Sequence, residues 1–216
     1  VENNSPASKA GLKVGDKIEV FIDLPTGDTE PTGMALIGHP HPLFGGTPDN
    51  KVVTTLARVF RSQGCVVLRP SFRGVGGSQG MHDHGDKETD DLLAVLAWAQ
   101  QQWGALPVTL AGFSFGAYVI TRVAKKLADT ERGARWMVLV GTAAGYIEGA
   151  RSYATEAVSP GTLVIHGATD TTVPLANVLA WAEPLELPVV VIPGADHFFH
   201  RKLHILQDIV RRAWPI

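Results

Sequence analysis

Val108-Thr109-Leu110-Ala111-Gly112-Phe113-Ser114-Phe115-Gly116-Ala117 is the stretch on which the fold turns. Val108 to Gly112 is a short apolar run, the pattern of a strand buried on both faces. It passes without a linker into Phe113-Ser114-Phe115-Gly116. Ala117 to Ala128 then sets Ile120, Val123, Ala124 and Leu127 on one helical face. A Gly-x-Ser-x-Gly between strand and helix demands a sharp turn that strains the serine backbone and exposes its hydroxyl. Side chains two residues to either side would collide in so tight a turn, which is the physical reason for Gly112 and Gly116. The helix that follows puts its N-terminus, and the Phe115 N–H, where an oxygen can develop negative charge. The plainer alternative is a glycine-flanked serine that caps a helix.

Outward from this turn, apolar runs and helix-period segments alternate. Strands are expected at Ile18 to Leu24, Gly33 to Gly38, Cys65 to Leu68, Trp136 to Val140, Thr162 to Ile165 and Val189 to Ile192. Helices are expected at Lys51 to Gln63, Asp86 to Trp103, Pro174 to Ala182 and from about His200 to Ala213. This βαβα order predicts an α/β fold, a doubly wound, mostly parallel sheet with helices on both faces. With no repeat, low-complexity block or dividing linker, residues 1–216 are expected to form one domain.

A serine hydroxyl is a weak nucleophile until a base takes its proton. In folds of this order that base comes late, after an acid. His197 follows the last expected strand, in Pro193-Gly194-Ala195-Asp196-His197-Phe198. Asp170 follows the strand before it, in His166-Gly167-Ala168-Thr169-Asp170. Both fall at C-terminal strand ends, on the sheet edge where Ser114 lies and where ligand sites of open α/β sheets form. Asp196 is a rival for the acid, but as the immediate neighbour of His197 it is poorly placed to accept the Nδ1–H bond.

Composition narrows the classes. The 216 residues are 45% apolar and 19% charged, so the chain is globular rather than disordered. Nineteen Lys and Arg against twenty-one Asp and Glu give a net charge of −2, which offers nucleic acid or an anionic membrane no strong field. The single cysteine, Cys65, excludes an internal disulfide framework and a cysteine-based zinc site. Val1-Glu2-Asn3-Asn4-Ser5 has no basic or apolar leader pattern. With one cysteine and ordinary charge, the expected location is cytoplasmic.

The strings His39-Pro40-His41-Pro42, Arg73-Gly74-Val75-Gly76-Gly77-Ser78, Gly112-Phe113-Ser114-Phe115-Gly116, His166-Gly167-Ala168-Thr169-Asp170 and Gly194-Ala195-Asp196-His197 span most of the chain. Together they resemble the small, cap-less bacterial α/β-hydrolases, serine-esterase-like and related to dienelactone-hydrolase-like members. The resemblance implies Ser114 as nucleophile, His197 as general base and then acid, and Asp170 as the orienting carboxylate. It implies hydrolysis of small-molecule carboxylic esters of small, fairly apolar acyl groups through an acyl-enzyme, with no metal and no organic cofactor. Thioesterase or peptidase action by the same residues, and a non-catalytic binding role, remain the alternatives. Many relatives carry Asp or Asn where Ser71 stands, a departure in a structural loop.

Two backbone donors are needed for an oxyanion. Phe115 supplies one. The other falls in the His-Pro-His-Pro loop, where Pro40 and Pro42 have no N–H. His41 is favoured by the resemblance, with Leu43 next. Only about twenty residues separate Val140 from Thr162, too few for a helical cap, so the site is expected to be open. Leu43, Phe44, Phe113 and Phe198 are the candidate substrate contacts; Phe115, Tyr118, Tyr146 and Phe199 are further aromatics near the site.

Other signals have plainer readings. His197, His200 and His204 have helical spacing that could suit zinc, but no carboxylate stands at a matching position. His82-Asp83-His84 reads as a solvated polar loop, and His166 as a residue packed beneath the site. The glycine-rich string from Gly74 to Gly80 lacks a following Lys-Ser/Thr and a helix start, so it reads as a tight turn held by Arg73 rather than a phosphate cradle. The run from Ser5 to Ile18 resembles a PDZ segment too short to be a domain. Asn3-Asn4-Ser5 fits a glycosylation sequon made idle by Pro6 and the expected location.

Overall fold

A computed structural model describes residues 17–27, 29–128, 130, 133–147 and 151–214. The leader reading, the sequon and nearly all of the PDZ-like run lie outside these. The elements are β1 (Val20–Asp23), β2 (Gly33–Gly38), α1 (Lys51–Ser62), β3 (Cys65–Pro70), α2 (Asp86–Trp103), β4 (Val108–Phe113), α3 (Phe115–Ala128), β5 (Trp136–Val140), β6 (Gly145–Ile147), β7 (Arg151–Tyr153), β8 (Leu163–Gly167), α4 (Leu175–Ala182), β9 (Val189–Ile192) and α5 (Leu203–Arg212). Seven strands form one sheet in the order β1-β3-β2-β4-β5-β8-β9. Only β1 runs antiparallel to its neighbour.

The chain winds from β2 outward to β3, then returns to lay β4 on the other side of β2. Ligand crevices open at such a reversal, outside the carboxyl ends of the strands. Here β2 ends at Gly38 and β4 at Phe113, and Gly38 pairs in register with Gly112. The loops that leave them are the His-Pro-His-Pro segment and the Ser114 turn.

Alternation along the central strands feeds two separate cores. Met34 and Leu36 of β2, with Val66 and Leu68 of β3, pack beneath Leu92, Leu96, Val119, Ile120 and Val123 of α2 and α3. Ala35, Ile37 and Val67 point to the other face, against Val52, Leu56 and Phe60 of α1 and Leu206 and Val210 of α5. Because both faces are covered, these strands read as unbroken apolar runs instead of alternating ones.

Most element boundaries lie within a residue or two of expectation; two regions differ for local reasons. The final helix begins at Leu203, not His200. Phe199 and Arg201 adopt left-handed φ of 54° and 60°, and the Asp196 carboxylate accepts the His200 N–H at 3.0 Å. Side chain and backbone there compete with helix. The segment between β5 and β8 holds a small antiparallel hairpin, β6 with β7, whose three-residue strands carry too few positions to show a period. Asn177 of α4 fastens it by donating to the carbonyls of Ala144 and Tyr146 at 3.0 and 2.6 Å. Among the described residues no helix is long and apolar enough to cross a membrane.

The junction of β2, β4 and α3 is a backbone-to-backbone contact. A Cβ on Gly116 would lie 2.2 Å from the Gly38 carbonyl oxygen, and one on Gly112 would lie 2.5 Å from the Ala117 nitrogen. Gly116→Ala is therefore expected to destabilise the protein by about 1–3 kcal/mol through overpacking. Gly133→Ala, where an added Cβ meets nothing within 4 Å, should change stability far less. Urea unfolding of the two variants checks the contrast.

Candidate active site

Ser114 occupies the bend between β4 and α3 with φ at 56°, a region a non-glycine residue enters only when its surroundings hold it there. Its N–H donates to the Val140 carbonyl at 2.9 Å, and its own carbonyl accepts from Ala117 at 3.0 Å and from Tyr118 and Ala143 at 3.3 Å. These bonds aim the hydroxyl out of the strand end, and Ser114 Oγ lies 2.9 Å from His197 Nε2. On the other side of the ring, His197 Nδ1 lies 2.6 Å from Asp170 Oδ2. The structure thus brings together the three residues taken from separate strand ends.

Each member is fixed from behind. Asp170 Oδ1 accepts the N–H groups of Thr172 and Val173 at 2.9 and 2.8 Å. Its side chain is fully buried, and its backbone partners satisfy the oxygen that His197 does not use. The His197 ring packs on Phe113 at 4.9 Å between centroids, with the Phe198 edge at 5.1 Å. Asp196 takes no part: it is half-exposed and pairs with His200 Nδ1 at 2.6 Å. His166 sits beneath the site as expected, fully buried, with Nε2 3.0 Å from the Val173 carbonyl and 3.4 Å from Asp170 Oδ2. Burial pushes its pKa down.

The loop after β2 forms the opposite wall. His39 is fully buried, with Nε2 accepting the Phe72 N–H at 2.9 Å and Nδ1 donating to the Pro40 carbonyl at 2.7 Å. That pattern requires the neutral Nδ1–H tautomer. Burial holds the His39 pKa down at about 4. The next turn is closed by the His41 carbonyl, which accepts from Phe44 and Gly46 at 3.1 and 3.0 Å. The Leu43 N–H donates to His41 Nδ1 at 3.3 Å, so it is already engaged. The Phe115 N–H opens α3 and has no intrahelical acceptor.

A cavity of about 510 Å³ opens beside this loop, lined by His41, Leu43, Phe44, His82, His84, Phe115, Arg151, Ser152 and Tyr153. A smaller one, about 230 Å³, is lined by Ser114, His197, Thr172 and Phe198 among others, and shares His41, Phe44 and Arg151 with the first. Of the candidate substrate contacts, Leu43, Phe44 and Phe198 reach these cavities. Phe113 does not: it has no exposed surface, because it props the His197 ring from below. Tyr118 and Phe199 are likewise buried, and Tyr146 is exposed on β6.

His82 also departs from its expected solvation. Its side chain is 5% exposed, 3.1 Å from Glu88 Oε1, and its ring centroid lies 4.6 Å from His41 and 5.2 Å from Phe115. Burial lowers the His41 pKa to about 4, helped by the nearby His82, Arg151 and His84. His39, Arg151, Ser152 and Tyr153 escaped the sequence reading. The only signal for His39 was its place directly after a strand-ending glycine, and the hairpin residues gave none.

The glycine-rich loop is a structural turn. The Glu19 carboxylate accepts the Gly77 N–H at 3.1 Å and the Ser71 hydroxyl at 2.8 Å, so an acid occupies the place a phosphate would take. Arg73 leaves the loop to pair with Asp91 of α2 at 2.6 Å. That carboxyl is pushed up to about 6 by burial, against the pull of Arg73. Among the described residues no group of three or more His, Cys, Asp or Glu side chains could hold a metal ion.

This sheet, its strand-end serine and the short uncapped connection after β5 define an α/β serine hydrolase without a lid. An alpha-beta serine hydrolase homologue from Coxiella burnetii is 39% identical, with a TM-score of 0.79 over 93% of each chain. A lidless α/β serine hydrolase from Xanthomonas campestris is 38% identical, with a TM-score of 0.77 over 92% of this chain and 90% of that one. An uncharacterized protein of Rickettsia prowazekii (strain Madrid E) is 34% identical over 177 residues, 78% of this chain and 73% of its own. The chain belongs to the S15 family, described as X-Pro dipeptidyl-peptidase, whose model matches residues 14–131. That match includes Ser114 and ends before Asp170 and His197.

The buried neutral histidines link stability to pH. His39 has a folded pKa of about 4 against an ordinary 6.5, so below 6.5 the unfolded chain binds a proton that the folded chain refuses. Stability is intact above 6.5 and falls as pH drops towards 4, by about 3 kcal/mol for this group. Asp91, with its pKa raised, acts in the opposite sense. His39→Gln should therefore flatten the loss between pH 6.5 and 4 relative to wild type, as read by urea unfolding at a series of pH values.

Proposed function

We propose that the protein is a carboxylesterase working through an acyl-enzyme on Ser114. The observation that carries this reading is the unbroken chain from Ser114 Oγ through His197 to buried Asp170, opening on an uncovered cavity. Ser114 attacks the ester carbonyl while His197 Nε2 takes its proton. Asp170 keeps the Nδ1–H tautomer and stabilises the imidazolium. The N–H groups of Phe115 and His41 are the proposed oxyanion donors, each worth about 2.7–4 kcal/mol; the engaged Leu43 N–H favours His41. The bond from carbonyl carbon to alcohol oxygen then breaks, and His197 returns its proton to that oxygen. Water activated by His197 hydrolyses the Ser114 ester and frees the acid. Side chains, backbone and water suffice for each step.

Peptidase action is the second reading, favoured by the family model. A dipeptidyl-peptidase must hold a free α-ammonium two residues from the scissile bond. Among the described residues both cavities are lined without a carboxylate, so none of these linings offers an acid to pair with an ammonium. Cleavage of a short-chain p-nitrophenyl ester and of an X-Pro p-nitroanilide separates the two. The ester should be hydrolysed, with Ser114→Ala lowering kcat by roughly 10⁴-fold or more. A higher kcat/KM on the anilide would overturn the esterase assignment, and equal ester turnover by the variant would remove Ser114 as nucleophile. Asp170→Asn, which keeps the shape but favours the wrong His197 tautomer, should cost about 10⁴-fold in kcat.

A further inference from the structure

The oxyanion donors and the base divide the substrate. His41 and Phe115, whose N–H groups are the proposed donors to the ester carbonyl, both line the larger cavity. His197, which must return a proton to the departing alcohol, lines the smaller cavity and not the larger. The alcohol leaves on the His197 side, and the acyl group on Ser114 has the larger cavity left to it. We propose that the acyl group lodged there carries a planar aromatic ring, as in an arylacetate ester. This rests on the esterase reading and names its substrate class. Water supplies the hydroxyl of the released aromatic acid and the proton of the released alcohol.

The wall of this cavity is built from rings. Six of its nine lining residues carry one, and Leu43 is the single aliphatic side chain among them. The His41 ring is the hub. Its centroid lies 4.8 Å from Phe44, 4.6 Å from His82 and 4.8 Å from Phe115. Phe115 lies 5.2 Å from His82 and 6.2 Å from Tyr153. Each contact is tilted or edge-on, the arrangement that sets the positive edge of one ring towards the negative face of the next. A further flat ring can join such an array at the same spacings. A methylene chain has neither face nor edge to offer, and it loses more rotamer freedom on entering.

The rings are held from behind. Glu88 is fully buried and accepts the N–H groups of Asp83 and Gly85, both at 2.9 Å. Its Oε1 lies 3.1 Å from His82 Nδ1, which anchors that ring to the first turn of α2. Phe115 is buried, and Tyr153 packs on Tyr118 at 5.1 Å. The Arg151 guanidinium carbon lies 4.4 Å from the centre of the Phe44 ring. Burial keeps His41 neutral at ordinary pH, so its ring meets the substrate uncharged. At about 510 Å³ the cavity is of small-molecule size, with room for an aryl group and its linking carbons.

The test compares kcat/KM for p-nitrophenyl phenylacetate and p-nitrophenyl cyclohexylacetate, each divided by its rate constant for hydrolysis by hydroxide. The two acyl groups share one carbon skeleton, and burial of apolar area alone would favour the cyclohexyl ester. Wild type should favour the phenylacetate by roughly 10-fold, the scale of one or two aromatic contacts. Tyr153→Leu and Phe44→Leu should each lower that ratio by roughly 2–10-fold. Tyr153→Phe and Phe44→Tyr, which keep a ring, should retain it. Phe44 is exposed, so its variants remain informative if Tyr153→Leu fails to fold. A wild-type ratio of one or less, or a ratio unchanged in the leucine variants, overturns the proposal while leaving the esterase intact. If neither ester is hydrolysed, the esterase reading fails, and calorimetry on Ser114→Ala with phenylacetamide and cyclohexylacetamide decides the pocket. Tighter binding of phenylacetamide that weakens on adding Phe44→Leu supports the aromatic site. Equal binding of the two amides, or none, overturns it.

Discussion

The contact of Gly38 with Gly116 is the constraint on which the rest depends. At this point the end of β2 and the first turn of α3 meet backbone to backbone, with no room for a methyl group on either side. The approach brings the loop after β2 beside the helix N-terminus that follows Ser114. It also sets the bend that forces Ser114 to a positive φ. Were the helix to stand farther off by the width of one side chain, the His41 and Phe115 N–H groups proposed as oxyanion donors would be drawn apart. The two cores on either face of the sheet keep β2, β4 and α3 from relaxing this contact.

Burial then decides which groups around the bend carry charge. His39 and His41 are held neutral by desolvation, so the loop carrying them is fastened by directional hydrogen bonds rather than ion pairs. Asp170 is also buried, but two backbone N–H groups and the His197 ring surround its carboxylate. Arg73 and Asp91 make a third case, a buried pair that ties the glycine-rich loop to α2 away from the reacting atoms.

Much of this could be read from the chain because strands covered on both faces leave an unmistakable pattern. The runs at Val108, Trp136 and Val189, and the glycines around Ser114, locate the sheet and its active edge. Asp170 and His197 were legible because each directly follows an apolar run. What escaped had no period or was misread by residue type. The β6–β7 hairpin consists of three-residue strands, so Arg151 and Tyr153 gave no hint of lining the larger cavity. His82 has the polar neighbours of a solvated loop, yet Glu88 lies at its back. Phe113 adjoins Ser114 in sequence, but alternation along β4 buries it against the His197 ring.

That hairpin sits outside the main sheet and is fastened by Asn177 of α4 and by the pairing of its own strands. Among the described residues, none of the bonds that hold Ser114, His197 or Asp170 in place passes through Arg151, Ser152 or Tyr153. The chain therefore separates the part that fixes bond-breaking geometry from the part that shapes one wall of the receptacle. Change in those three positions can redirect what is accepted without disturbing the strained bend. In a lineage of such proteins, diversification would accumulate in this short connection while the glycine junction stayed fixed.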